Sequence, residues 1–206
     1  MDILKNQALI DAILTIEWEM MQATNNLGGR ASCQDDPDTF YIMRASQYDN
    51  WTEEMLTIWL DFVKEAKAQG RNLVAEKYGR MMQYTDLHYF NKHIKPRVPF
   101  VPIRNYGFIN TIVEALIQWE QEFEQVYPKL SMASRPITSE SDASGFTSME
   151  TYARGELETY PIELLELYAA YVAQLKNHGQ SLVLKNQLTM VMLYGYDSIE
   201  EAEASL

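Results

Sequence analysis

The densest set of reactive and hydrogen-bonding groups in the chain is a seven-residue run, Arg30-Ala31-Ser32-Cys33-Gln34-Asp35-Asp36, between two apolar stretches. Cys33, the single cysteine, is a nucleophile by type, and Arg30, Ser32 and Asp36 are ligand-binding types. Pro37 suits the first turn of a helix, so the run would deliver these groups to a helix N-terminus. There, free amides and the dipole favour anions and lower a thiol pKa, whereas the adjacent carboxylates raise it. A thiol nucleophile also needs a base, and His88 or His93 would have to arrive by folding, because no Cys/His spacing here is a signature. Three readings stand side by side. In the first, Asp35 or Asp36 caps the helix, Arg30 pairs with one of them and Cys33 fills a small apolar gap. The second is a ligand site, and the third is thiol catalysis, with Cys33, Glu19 and Asp35 as the catalytic groups.

Glu19 and Glu120 each follow a tryptophan, Trp18 and Trp119, and each sits at helical spacing from apolar residues, at the edge of a core face. A carboxylate there needs a partner. Arg30, Arg44, Arg135 and Arg154 are the expected ones, giving either structural ion pairs or a polar pocket walled by Tyr78, Tyr152 or Trp18. Metal chemistry has no supporting spacing: none of His88, His93 or His178 has a glutamate three residues before it. A P-loop, GxGxxG, HExxH and G-x-S-x-G are absent, and the residues specify no cofactor.

The elements that would position these groups read as helices throughout. Leu9, Ile13, Ile16, Met20, Ala23 and Leu27 follow alternating steps of four and three before Gly28-Gly29. Pro37 opens a second helix to about Tyr48, Asn50 or Thr52 a third to Gly70, and Asn72 a fourth to about Met82. Residues 88–107, with Pro96, Pro99 and Pro102, read as an extended connector. Ile109 to Val126 repeats the first spacing, and a polar loop, 131–146, follows. Thr147 with Glu150 forms a capping box, Pro161 starts a long helix to Gly179, and two more helices close the chain. Leu56, Val63, Gly70 and Leu73 recur as Leu165, Val172, Gly179 and Leu182 at a constant offset of 109 residues. The expected fold is all-α: two tandem four-helix repeats, 1–86 and 106–206, joined by a basic Pro-rich connector, 87–105, and packed as one helical body.

The chain has 206 residues, 47% of them apolar, enough for a sizeable core without metal or disulfide. Acids interrupt the first segment at Asp2, Asp11, Glu17 and Glu19, which excludes a signal peptide, and no apolar run spans a membrane. With one free thiol, the expected location is the cytoplasm. A net charge of −12 argues against nucleic acid as a partner. The charge is uneven: residues 1–103 carry 11 Lys and Arg against 14 acids, residues 104–206 only 6 against 15. From Leu87 to Val113 there is no acid, while Lys92, Lys95, Arg97 and Arg104 are all basic. That stretch reads as a linker docked on the acidic half, or as an anion site.

The runs GGRASCQDDPDTFYIMRASQ (28–47), GRNLVAEKYGRMM (70–82) and ETYARGELETY (150–160) resemble a bacterial family catalogued as domain of unknown function 4125. The resemblance covers essentially the whole chain and implies no particular activity; it suggests that some members are joined to a nucleotidyltransferase-like domain. The expected function is binding, with or without transformation, of a small polar or anionic molecule at the repeat seam. Its pocket would be built from Arg30, Cys33, Asp35, Asp36 and Arg44, with Glu19 as floor and Glu120 and Arg154 from the second repeat. The alternative is a non-enzymatic helical module for a nucleotidyltransferase-like or other partner, marked by exposed apolar area on Trp51, Trp59 or the Tyr-rich helices; the partners considered are a homodimer mate or another protein.

Overall fold

The computed structural model describes residues 4–26, 28–142 and 146–206. Asp2, Leu27 and residues 143–145 of the polar loop lie outside these ranges. Among the described residues the protein is all-α, without a strand. In chain order the helices are α1 (Gln7–Gln22), α2 (Pro37–Tyr48), α3 (Glu53–Ala68), α4 (Leu73–Thr85) and α5 (Leu87–Tyr89, continued by a π turn over Phe90–Ile94). They are followed by α6 (Asn105–Val126), α7 (Pro128–Met132), α8 (Met149–Leu157), α9 (Ile162–Asn177), α10 (Leu182–Leu193) and α11 (Ile199–Ser205). The chain divides into two compact units. One takes the described residues up to Ala75 together with Leu184–Ser205, and the other takes Glu76–Val183.

In the first unit α1 packs against α2 and α3. Its inner face is Ile10, Ile13, Leu14, Glu17, Met20 and Met21, so one acid occupies a position that helical spacing assigns to the core. Thr52 caps α3 by accepting from the Met55 amide at 3.2 Å. Trp59, Leu60 and Val63 supply its buried face, and Gly70, in the left-handed region at φ +72°, ends the turn that follows. Trp51 and Trp59 are both buried, which corrects the expectation that they could form an exposed docking face.

The second unit is organised on α6, the longest helix, which buries Ile109, Ile112, Trp119 and Phe123 against α8 and α9. Helix α4 crosses α8 at very close range. A Cβ added to Gly155 would lie 2.6 Å from Met81 Cγ and 3.0 Å from the Lys77 carbonyl oxygen. The residues expected to be an extended connector divide in two. Asp86 accepts from the Tyr89 amide at 3.0 Å and Phe90 is buried, so Leu87–Ile94 is helical, and irregular backbone begins only near Pro96. Ser148, one residue later than expected, caps α8 by accepting from the Thr151 amide at 3.1 Å.

Candidate functional site

The Arg30–Asp36 loop is a self-satisfied cap. Its organiser is Gln34, buried in a 3-10 turn over Ser32–Asp35. The Gln34 amide nitrogen donates to the carbonyls of Met21 (2.8 Å) and Thr24 (3.0 Å), and its oxygen accepts from the Ala31 amide (2.9 Å) and Asn26 (3.0 Å). That is the full capacity of a side-chain amide. Arg30 is engaged on three sides, by Asp35 at 2.8 Å, the Gln34 carbonyl at 2.8 Å and Gln22 at 2.7 Å. Asp36 caps α2 by accepting from the Thr39 amide at 3.0 Å, and that bond holds its carboxyl below the usual carboxylate range. Cys33 and Ser32 are exposed, so the thiol does not fill an apolar gap; Gln34 takes the interior place.

Glu19 is not the buried floor of a site. It is half exposed and pairs with Lys67, not with an arginine. The buried acid is Glu17, two residues earlier, four after Ile13 and three before Met20. Arg44 holds both its oxygens, Nε to Oε2 and Nη2 to Oε1, each at 3.0 Å. Tyr48 donates to Glu17 Oε1, as does the Trp59 indole at 3.0 Å, and Arg44 stacks on the Tyr48 ring at 4.8 Å. This polar knot occupies the core of the first unit.

Glu120 lines a cavity of about 20 Å³ with Val113, Leu116, Ile117, Met149, Glu150 and Ala153. No arginine reaches it. Burial against these apolar neighbours pushes its carboxyl up to about 7. Arg154 is instead bonded to Glu150 at 3.1 Å and Asn110 at 2.8 Å, and Glu150 accepts from the Ser139 amide at 3.0 Å.

The densest buried charge lies in the second unit, where α4 meets α8. Lys77 and Arg80 are buried on α4, and Glu156 and Glu158 are buried at the end of α8. Leu73, Lys77, Arg80 and Tyr84 follow steps of four, three and four, so the two cations stand on a face that spacing reserves for apolar residues. Lys77 donates to Tyr152 at 2.7 Å, lies 3.7 Å from Glu156 and sits 4.4 Å above the Tyr152 ring; Tyr78 flanks it at 5.2 Å. Tyr160 donates to Glu156 at 2.8 Å. Arg80 Nη2 donates to the Pro99 carbonyl at 2.7 Å, while Nη1 is 3.6 Å from Glu158 Oε2, an ion-pair distance too long for a hydrogen bond. Tyr84 donates to Glu158 Oε1 at 2.9 Å. Burial raises the Glu158 carboxyl and, with the Glu158 charge, the phenols of Tyr84 and Tyr106. Among the described residues, three of the buried side-chain atoms without a hydrogen-bond partner belong to Arg80 (Nε), Glu158 (Oε2) and Asn105 (Oδ1), the last at the start of α6 beside Tyr106. Of this layer the sequence had singled out only Tyr78 and Tyr152.

The α4–α8 contact joins two of the three segments on which the family resemblance rests, 70–82 and 150–160. Among the described residues no three His, Cys, Asp or Glu side chains converge on a point that could hold a metal, and no helix is long and apolar enough to cross a membrane. The family described as "Protein of unknown function (DUF4125)" matches residues 7–204. No curated protein and no solved structure matches the chain.

Proposed function

The chain belongs to the DUF4125 family, and we propose that it binds a small polar molecule at the charged layer of α4 and α8, in place of the Arg30–Asp36 loop. One observation carries this reading: Arg80 Nε and Glu158 Oε2 belong to one buried ion pair, and each lacks a hydrogen-bond partner. Native interiors satisfy such atoms, and each one left bare costs about 1 to 3 kcal/mol. A molecule offering an acceptor to the guanidinium and a donor to the carboxylate, such as a carboxylic acid, an amide or an amino acid, has the required polarity. Tyr84, 39% exposed and bonded to Glu158, links this buried pair to the surface. The test is a thermal-shift series over short carboxylic acids, amides, amino acids and inorganic phosphate. Ligand at a hundredfold excess over its Kd stabilises by about 2.7 kcal/mol. The shift should vanish in Arg80→Gln and weaken in Tyr84→Phe. If no compound shifts the unmutated protein, the bare atoms are water sites and the proposal fails.

We also read the two halves as repeats, α1 to α4 answering α6, α8, α9 and α10. Supporting this, α1 packs on α2 and α3 as α6 packs on α8 and α9. Gly70 and Gly179, 109 residues apart, are both left-handed after α3 and α9. Arg80 faces Glu158 and Thr189 donates to Asp49 at 3.3 Å, the same 109-residue offset on both sides of each pair. In this reading the fourth helix of each repeat completes the other unit. Superposing residues 37–82 on 146–191 tests it; failure of the three helices in each range to align in order would remove it.

A further inference from the structure

The basic connector was expected to dock on the acidic half of its own chain; its backbone is held, with Phe90 and Val101 buried and the Pro99 carbonyl accepting from Arg80, but its cations do not pair with that half's acids. Lys92, Lys95, Arg97 and Arg104 are exposed and make no ion pair among the described residues. Between them stand Phe100 and Ile103, 83% and 84% exposed. Large apolar side chains so fully exposed, three residues apart and flanked by unpaired cations, mark a contact surface. Pro96, Pro99 and Pro102 restrict the backbone that presents them, lowering the entropic cost of contact. The matching chemistry lies at the other end of the helix this strap leads into. There Glu122 and Glu124 are exposed on the last turns of α6, with Val126 64% and Met132 84% exposed just beyond. The two ends are about 33 Å apart along 22 helical residues, too far for the strap to reach within one chain.

We propose that two copies of the chain associate through antiparallel α6 helices, each strap covering the acidic, apolar end of the other copy's α6. A twofold axis across the middle of the helix makes the contact self-complementary: Phe100 and Ile103 meet Val126 and Met132 twice, and Lys95 and Arg97 meet Glu122 and Glu124 twice. An anionic membrane is the less suitable occupant, because the strap is attached to a chain of net charge −12 that the same surface repels.

Light scattering after gel filtration of the full chain tests this. The expected mass at low salt is twice 23.9 kDa, falling towards the monomer at high salt. Phe100→Ser should weaken association by a factor on the order of thirty, the weight of one buried aromatic anchor, with an unchanged Tm at dilutions where both proteins are monomeric. Lys95→Glu with Arg97→Glu should dissociate the pair, as should Glu122→Lys with Glu124→Lys, and the four substitutions together should restore it. A monomer at every concentration and salt overturns the proposal. So does a dimer indifferent to Phe100→Ser, or a monomer that sediments with phosphatidylserine vesicles through the strap.

Discussion

Arg44 grips Glu17 through two nitrogens, each 3.0 Å from a different carboxylate oxygen, and both side chains are more than 90% buried. The guanidinium thus neutralises an acid that α1 places in the middle of its core face, with Tyr48 and Trp59 filling the remaining acceptor capacity. Removing one partner strands the other without water. Glu17→Ala or Arg44→Ala should each cost about 3 to 5 kcal/mol, whereas Glu19→Ala, at a surface pair with Lys67, should cost at most ~1 kcal/mol. Urea unfolding of the three variants ranks them, and an equal loss at Glu19 would contradict the placement of the buried acid.

A second contrast lies within the Arg30–Asp36 loop. Gln34→Ala strips the Thr24 carbonyl, the Ala31 amide and the Asn26 amide group of their Gln34 bonds and removes one of two donors to the Met21 carbonyl, a loss of about 2 kcal/mol or more. Cys33→Ser exchanges an exposed thiol for a hydroxyl and should stay within ~0.5 kcal/mol of the parent. In the native protein Cys33 should react with a thiol reagent without prior unfolding; slow labelling matched to the unfolding rate would show that it is covered.

Glu120 makes the second unit sensitive to pH. Its folded carboxyl titrates at about 7, above the ordinary 4.5, because the apolar cavity disfavours the charge and Arg154, bonded to Glu150 and Asn110, does not compensate it. As pH rises through this window the unfolded chain ionises first. The stability from keeping Glu120 neutral is therefore full below about 4.5, declines between about 4.5 and 7, and is lost above, by at most ~3 kcal/mol. Glu120→Gln should flatten that slope and melt higher than the parent at pH 8. A parallel pair of melting curves across the window would exclude this role.

Gly155 fixes the distance between α4 and α8. Gly155→Ala gains about 1 kcal/mol of helix propensity but forces Met81 and the Lys77 backbone away, an overpacking cost of about 1 to 3 kcal/mol. The variant should lose stability. Adding Met81→Ala relieves the side-chain clash but not the approach to the Lys77 carbonyl, so recovery should be partial.

The helical order was legible because apolar spacing and punctuation agreed: the steps through Ile13 and Met20, Thr52 before α3, and the glycines at 70 and 179. What escaped was polar residues standing at apolar positions. Glu17, Lys77 and Arg80 all sit in step with core neighbours, yet their type suggests solvent, and Glu19, beside Trp18, carries the more conspicuous signal. The residue types of the loop from Arg30 to Asp36 fit a cap, a ligand site and a thiol centre alike, and the role of Gln34 depends on carbonyls ten and thirteen residues upstream. Spacing along one helix carries no information about such bonds.

The division of the chain also bears on how it is made. The first unit needs Leu184–Ser205 alongside the residues up to Ala75, whereas the second is continuous from Glu76 to Val183. Since synthesis proceeds from the N-terminus, Glu76–Val183 are made while α1 to α3 still wait for their last partners. Nascent α1 to α3 therefore spend more than a hundred residues of elongation with apolar surface uncovered, the interval in which a chaperone has most to protect. A stop codon placed just before Leu184 keeps Glu76–Val183 intact and leaves the first unit open.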